Sequence, residues 1–292
     1  MQLVETFIAK KIETPIRFQE YAVGVFKTIP TKSGIKKAIK KGLVFIDGTL
    51  ATTSKYISGG EKIELFESEK SSTFKRLKLD LEVLFEDDYL AIIYKPAGIL
   101  VSGNKFVTIA NALSQNLQKS NQPDAVKPQP IHRLDYQTSG LLLVGKTSSA
   151  IIKLSELFQN KEITKTYHAI AIGKMCLGGT INLKVDNKNS STQFNVLKSV
   201  ISKRFEFLNL VELKPKTGRK HQIRKHLSCI GHQILGDKNY GNELLKLKGK
   251  GLYLHASTLE FVHPFSKKKI FNTKELSKKF KKIFSSVIPN EE

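Results

Sequence analysis

Apolar positions change their spacing several times along this chain, and each change marks an element. In residues 35–42, Ile35, Ala38 and Ile39 fall at i, i+3 and i+4, while Lys36, Lys37, Lys40 and Lys41 take the other faces. That spacing predicts an amphipathic helix with one basic side, capped by Ser33 and stopped by Gly42. Residues 16–26 read as an earlier helix with Tyr21, Val25 and Phe26 on one side. Residues 43–49 read as a strand entering an Asp47-Gly48 hairpin turn, and Gly59-Gly60 precedes an alternating strand over 61–65.

Farther on, residues 83–85 and 89–94 predict a hairpin ended by Lys95-Pro96-Ala97-Gly98. The unbroken apolar run 141–144 is short enough to be a buried strand. Residues 148–159 predict a helix, with Ile151, Leu154, Leu157 and Phe158 at helical spacing. Strands are expected over 166–172 and 205–213. A helix over 221–230 places Ile223, Leu227 and Ile230 on one face and closes at Gly231. The Lys-rich tail 267–287 is expected to end in an amphipathic helix packed on the second domain, lysines outward.

Residues 69–78 are polar, charged and aperiodic, so they read as a linker between domains at 1–68 and 79–292. With 292 residues and 40% hydrophobic positions, the chain can build substantial cores. No apolar run reaches transmembrane length and no secretory signal pattern opens the chain, so a soluble cytoplasmic protein is expected. The formal net charge is +22, from 48 Lys and Arg against 26 Asp and Glu. Such an excess points to a polyanionic partner, nucleic acid first. The two cysteines, Cys176 and Cys229, cannot form a zinc site by themselves.

The densest chemistry lies in Ile131-His132-Arg133-Leu134-Asp135-Tyr136-Gln137-Thr138-Ser139-Gly140, immediately before the 141–144 run. A buried strand fixes what the loop before it displays. The segment resembles the HRLD-x-x-TSG signature of the RluA family of RNA pseudouridine synthases. Further blocks extend the resemblance over 81–270: Glu86-Asp87-Asp88-Tyr89-Leu90, Tyr94-Lys95-Pro96-Ala97-Gly98, Lys165-Thr166-Tyr167-His168-Ala169, Thr217-Gly218-Arg219-Lys220-His221-Gln222-Ile223-Arg224 and Gly236-Asp237-Lys238-Asn239-Tyr240-Gly241. Leu254-His255-Ala256 and Phe261-Val262-His263-Pro264 complete it. The first domain resembles the S4 RNA-binding domain, through Ser33, the lysine helix, Gly42, residues 44–48 and residues 59–63.

The resemblance implies an α+β protein: a catalytic domain with a mixed, mainly antiparallel sheet flanked by helices, plus a small S4-like N-terminal domain. It implies that Asp135 is the catalytic carboxylate, acting as nucleophile or base, and that Arg224 pairs with it. Closing a site disfavours a carboxylate's charged form, and a guanidinium offsets that. Tyr167 would stack on the extruded base. Arg133 would contact RNA or fill the gap left by the base. Thr138 and Ser139 would fix the loop through hydroxyl-to-backbone bonds. Lys36, Lys37, Lys40 and Lys41 would contact phosphates. The isomerisation needs no cofactor and no metal. The expected partner is RNA, ribosomal first and transfer second, for a monomeric enzyme. A non-catalytic RNA-binding or ribosome-assembly protein on the same scaffold is the alternative. Tyr136 and Gln233 depart from the family pattern, at positions where a basic or small polar residue and a proline are usual. All seven histidines, which start at His132, read as loop or hydrogen-bonding residues.

Overall fold

The computed structural model describes residues 1–67 and 77–284, apart from Lys27, Pro30, Lys246 and Lys248. The chain divides into two units, Met1–Arg76 and Leu77–Glu292. Most of the expected linker, residues 69–76, lies outside the described residues, and Leu77 packs against a core of the second unit.

The first unit runs β1 (Gln2–Ile8), β2 (Ile16–Arg17), α1 (Phe18–Tyr21), α2 (Lys32–Lys40), β3 (Val44–Ile46), β4 (Thr49–Leu50), β5 (Tyr56–Ile57) and β6 (Lys62–Glu67). Among the described residues, four strands form an antiparallel sheet in the order β1-β6-β3-β4, and β2 pairs with β5. Helix α2 buries Ile35, Ala38 and Ile39 and exposes all four lysines, as the spacing predicts. Its cap is Thr31 rather than Ser33. The Thr31 hydroxyl accepts from the Gly34 N–H at 3.2 Å, because the helix already starts at Lys32 and Ser33 lies inside it. The helix expected over 16–26 shrinks to the single turn of α1. Pairing with β5 draws off Ile16 and Arg17, and Gly24 turns left-handed at φ 78°. Asp47 and Gly48, at φ 48° and 74°, make the tight turn between β3 and β4.

The second unit begins with β7 (Val83–Glu86), β8 (Leu90–Lys95), α3 (Ile109–Asn116), β9 (Ala125–Pro130), β10 (Ser139–Thr147) and α4 (Ser148–Gln159). It continues with β11 (Thr164–Ile172), β12 (Gly178–Ile181), β13 (Thr192–Ser202), β14 (Glu206–Pro215) and α5 (Gln222–Cys229). Strands β15 (Leu254–Val262) and β16 (Lys269–Thr273) precede α6 (Lys278–Phe284). The main sheet runs β12-β13-β14-β11-β15-β10-β8-β7, with β9 beside β10 and β16 beside β15. Every pairing in it is antiparallel except β10 with β15.

Both faces of β10 are covered, so its apolar run does not alternate. Leu142 and Val144 join Ile109, Ala112 and Leu113 of α3, while Leu141 and Leu143 join Ala150 and Leu154 of α4. The Thr147 hydroxyl caps α4 by accepting from the Ala150 N–H at 3.1 Å. A third core joins β11 and β14 to α5 and to Phe280 and Phe284 of α6. The parallel step needs Gly140. At φ 128° it brings β10 so close to β15 that an added Cβ would strike the Ala256 backbone.

Candidate active site

The loop before β10 is held from below. Fully buried Lys95, at the end of β8, donates from Nζ to the carbonyls of Thr138 at 2.7 Å, Pro96 at 2.9 Å and Tyr136 at 3.4 Å. The Gly98 N–H adds a bond to the Tyr136 carbonyl at 2.7 Å, and the Thr138 N–H closes the turn onto the Asp135 carbonyl at 3.0 Å. The Lys-Pro-Ala-Gly turn is therefore the cradle of the Asp135 loop. Burial lowers the Lys95 ammonium to about 8, with Asp135 opposing the shift.

The hydroxyls of Thr138 and Ser139 do not bond to backbone as expected. Ser139 Oγ lies 3.0 Å from His255 Nδ1, and His255 Nε2 lies 3.3 Å from the Lys274 carbonyl. The carbonyl can only accept, so the ring carries its proton on Nε2 and Ser139 donates into Nδ1. The parallel junction of β10 and β15, which sets Ser139 opposite His255, creates this bond. Thr138 Oγ1, in a residue only 2% exposed, has no hydrogen-bond partner.

A cavity of about 550 Å³ opens beside this loop. Its wall includes Arg133, Asp135 and Thr138 of the loop before β10, Tyr167 of β11, and His221 and Arg224 at the start of α5. Among the described lining residues Asp135 is the one carboxylate. The other formally charged residues, Arg133, Lys161, Lys165, Lys214, Lys216, Arg219, Lys220 and Arg224, are all cationic. Such a lining attracts an anionic ligand and concentrates negative charge chemistry on one side chain.

Arg224, on α5, is 4% exposed and makes two different contacts. Its Nε and Nη2 each reach a carboxylate oxygen of buried Asp237 at 2.7 Å, a bidentate pair. Its Nη1 stands 3.6 Å from Asp135 Oδ2. The sequence suggested one carboxylate partner and the structure provides two, with Asp237 the closer. Asp237 also accepts the N–H groups of Asn239 at 2.9 Å and Tyr240 at 3.3 Å through Oδ1. Its block is visible in the sequence, but no spacing rule tied it to Arg224. His221 was also missed. Its Nε2 lies 3.6 Å from Asp135 Oδ1, and its Nδ1 lies 2.7 Å from the Tyr240 hydroxyl. The turn leading into α5 is fixed by Gln222, whose Oε1 accepts from Thr217 Oγ1 at 2.7 Å and the Arg219 N–H at 3.0 Å.

Tyr167 lies on β11, half-buried in the cavity wall. Burial, and then the nearby Asp135 carboxylate, push its hydroxyl above the ordinary tyrosine range, so it is neutral at neutral pH. Across the wall, His132 Nε2 accepts the Leu143 N–H at 3.1 Å. Burial, followed by the neighbouring Lys165, lowers His132 to about 3, so this ring is a neutral structural group. Arg133 is exposed at the cavity mouth, and Lys36, Lys37 and Lys40 on α2 of the first unit, with Lys41 at its C-terminal cap, are exposed. Tyr136 is 52% exposed, whereas Gln233 is buried and its amide bonds both backbone groups of Asn242. Among the described residues no three His, Cys, Asp or Glu side chains gather into a metal-binding group.

Comparison with known proteins fits this arrangement. The family profile for RNA pseudouridylate synthase matches residues 89–229. The ribosomal large subunit pseudouridine synthase D of Buchnera aphidicola is 33% identical over 270 residues, covering 82% of this chain and 84% of that protein. Its counterpart from Nitrosomonas europaea is 31% identical over 264 residues, covering 81% and 74%. The solved structure of human RNA pseudouridylate synthase domain containing 4 superposes with a TM-score of 0.55 at 26% identity, covering 68% of this chain and 90% of that one. The identity to these relatives, over most of both chains, means that this chain belongs to the RluA family of RNA pseudouridine synthases.

Proposed function

We propose that this enzyme isomerises uridine in large-subunit ribosomal RNA, with Asp135 as its catalytic carboxylate. The C1′–N1 bond breaks, the freed uracil turns, a C1′–C5 bond forms, and the C5 proton is exchanged for one on N1. Whether Asp135 attacks the sugar, attacks the base or removes a sugar proton, it must act ionised. The observation that carries the reading is the position of Asp135 as the one carboxylate among the described lining residues, the rest of whose formal charges are cationic, with Arg224 Nη1 3.6 Å from its Oδ2. Asp237 keeps the guanidinium from collapsing fully onto Asp135, so the catalytic carboxylate is neutralised yet left available.

Tyr167 supplies the stacking face for the extruded base, a contact of about 1–3 kcal/mol. Arg133 holds the RNA at the cavity mouth. Thr138 Oγ1, buried in the wall without a partner, is the group we assign to hydrogen-bond the nucleotide. The first unit is read as an S4-like module. Its support is the basic helix α2 followed by the β3–β4 hairpin, with Lys36, Lys37, Lys40 and Lys41 exposed for phosphate contact. The ribosomal target follows the names of the bacterial relatives, with transfer RNA as the second candidate and a monomer as the acting form.

The test has two parts. Carbodiimide mapping of total RNA with and without the gene should show pseudouridine lost from the large-subunit RNA. Asp135→Asn should abolish isomerisation of that RNA while keeping its affinity. Normal product formation by this variant would remove the basis for the assignment, and loss of sites from transfer RNA alone would replace the ribosomal target.

A further inference from the structure

His221 stands out in the cavity wall for its backbone as well as its ring. It begins α5 at φ 57° and ψ 23°, a left-handed conformation that disfavours residues other than glycine and is retained where the surroundings demand it. No side-chain cap explains the strain, since His221 makes no capping bond to the helix. The ring lies between two groups, Tyr240 at 2.7 Å and Asp135 at 3.6 Å. Arg224 faces the other oxygen of Asp135, also at 3.6 Å. Both contacts lead back to Asp237, which grips the Arg224 guanidinium and fixes the Tyr240 backbone.

We propose that His221 is a positioning residue for Asp135: the Tyr240 hydroxyl donates into Nδ1, which leaves the ring proton on Nε2, and Nε2–H holds Oδ1 of the carboxylate during isomerisation. This rests on the reading of Asp135 as the catalytic group. Catalytic hydrogen bonds commonly tighten in the reacting complex, and the 3.6 Å separation closes in that way. Arg224 then supplies a permanent charge to one oxygen and His221 a directional donor to the other, so the carboxylate plane is fixed from both sides.

The ring's charge follows from its neighbours. Lys220, Arg224 and Lys225 face it from its own segment, Asp135 from the loop before β10, Tyr240 from the loop after α5, and Asp186 from the loop between β12 and β13. Burial lowers its pKa, Asp135 opposes this, and the three cations reinforce it. The ring is neutral at neutral pH. Protonation in acid places a second cation against Asp135 and weakens it as nucleophile or base, so His221 contributes an acid limb to the rate.

Single-turnover rates, RNA affinity and melting of His221→Gly and His221→Gln test this on the RNA found by mapping. Glycine accepts the left-handed backbone freely, so a purely conformational role predicts an active His221→Gly. The expected result is a rate about 10–100-fold lower, the loss for one hydrogen bond to a charged group, with affinity within about 2-fold. Glutamine restores an N–H donor that does not titrate, so His221→Gln should recover most of the rate and move the acid limb to lower pH. A full-rate His221→Gly, a His221→Gln as slow as the glycine variant, or an unchanged acid limb in His221→Gln would each overturn the proposal. If Asp135→Asn is inactive while His221→Gly runs at full rate, only the role of His221 fails; an active Asp135→Asn removes the reading beneath it.

Discussion

Asp237 offers the most informative perturbation, because it lies behind the site and holds Arg224 in it. Asp237→Asn keeps the shape and removes the charge. One of the two oxygens that receive guanidinium N–H groups at 2.7 Å becomes an amide nitrogen, so a bond is lost and two donors face each other. Both partners are buried, at 4% and 1% exposure, so solvent cannot compensate. Breaking a buried ion pair from one side costs about 3–5 kcal/mol, and the acceptor that asparagine keeps puts this change near 3 kcal/mol. In a unit of this size each kcal/mol shifts Tm by about 2–4 °C, which gives a fall of roughly 6–12 °C. Circular dichroism melts measure it directly. The same variant should slow single-turnover isomerisation at least about 10-fold, because the guanidinium loses its tether and turns toward Asp135. Replacing the pair together, as Arg224→Met with Asp237→Leu, should regain most of the stability and none of the activity. A melt of Asp237→Asn within about 2 °C of wild type would refute the reasoning, since the pair would then carry no load.

Two other variants probe the loop's foundation and the first unit. Burial depresses the Lys95 ammonium from 10.5 to about 8, so between those values the folded protein binds fewer protons than the unfolded chain and stability rises with pH. Urea unfolding at pH 7.5 and 9.5 should therefore show a relative gain for wild type at the higher pH that Lys95→Met lacks, and equal slopes in the two proteins would dismiss it. Replacing Lys36, Lys37, Lys40 and Lys41 with Gln should weaken RNA binding and flatten the dependence of log K on log salt by about 0.7–0.9 for each phosphate no longer bound; an unchanged slope would remove α2 from the RNA interface.

Elements whose burial is simple were legible in the sequence. Helix α4 was read over its full extent, and β10 was read as buried because cores on both its faces leave an unbroken apolar run. Strand β1 escaped notice because Gln2, Leu3, Val4, Thr6 and Ile8 are exposed, so no alternation marks it. In the candidate site, residue type and motif singled out Asp135, Arg224 and Tyr167. Arg224's stronger bond to Asp237 was not legible, because it depends on how the turn after Gly236 returns to α5. The hydrogen-bonding role of His221 and His226 was legible in residue type. Their partners were not, since His226 bonds Thr192 and Ser190 while His221 turns toward Asp135. Ser139 was assigned to the backbone because its real partner, His255, is met only across the parallel junction.

That Asp135 draws its counter-charge from Arg224, which Asp237 in turn holds in place, has a bearing on synthesis. A polypeptide still leaving the ribosome after Asp135 carries the carboxylate on a loop that has not yet met Arg224, His221 or the wall that bears Tyr167. With Asp135 as the proposed catalytic group, reactivity is expected only when translation has passed the turn that bears Asp237 and Tyr240 and the sheet has closed. On that reading, a prematurely terminated product is expected to leave the nucleic acid around it unmodified.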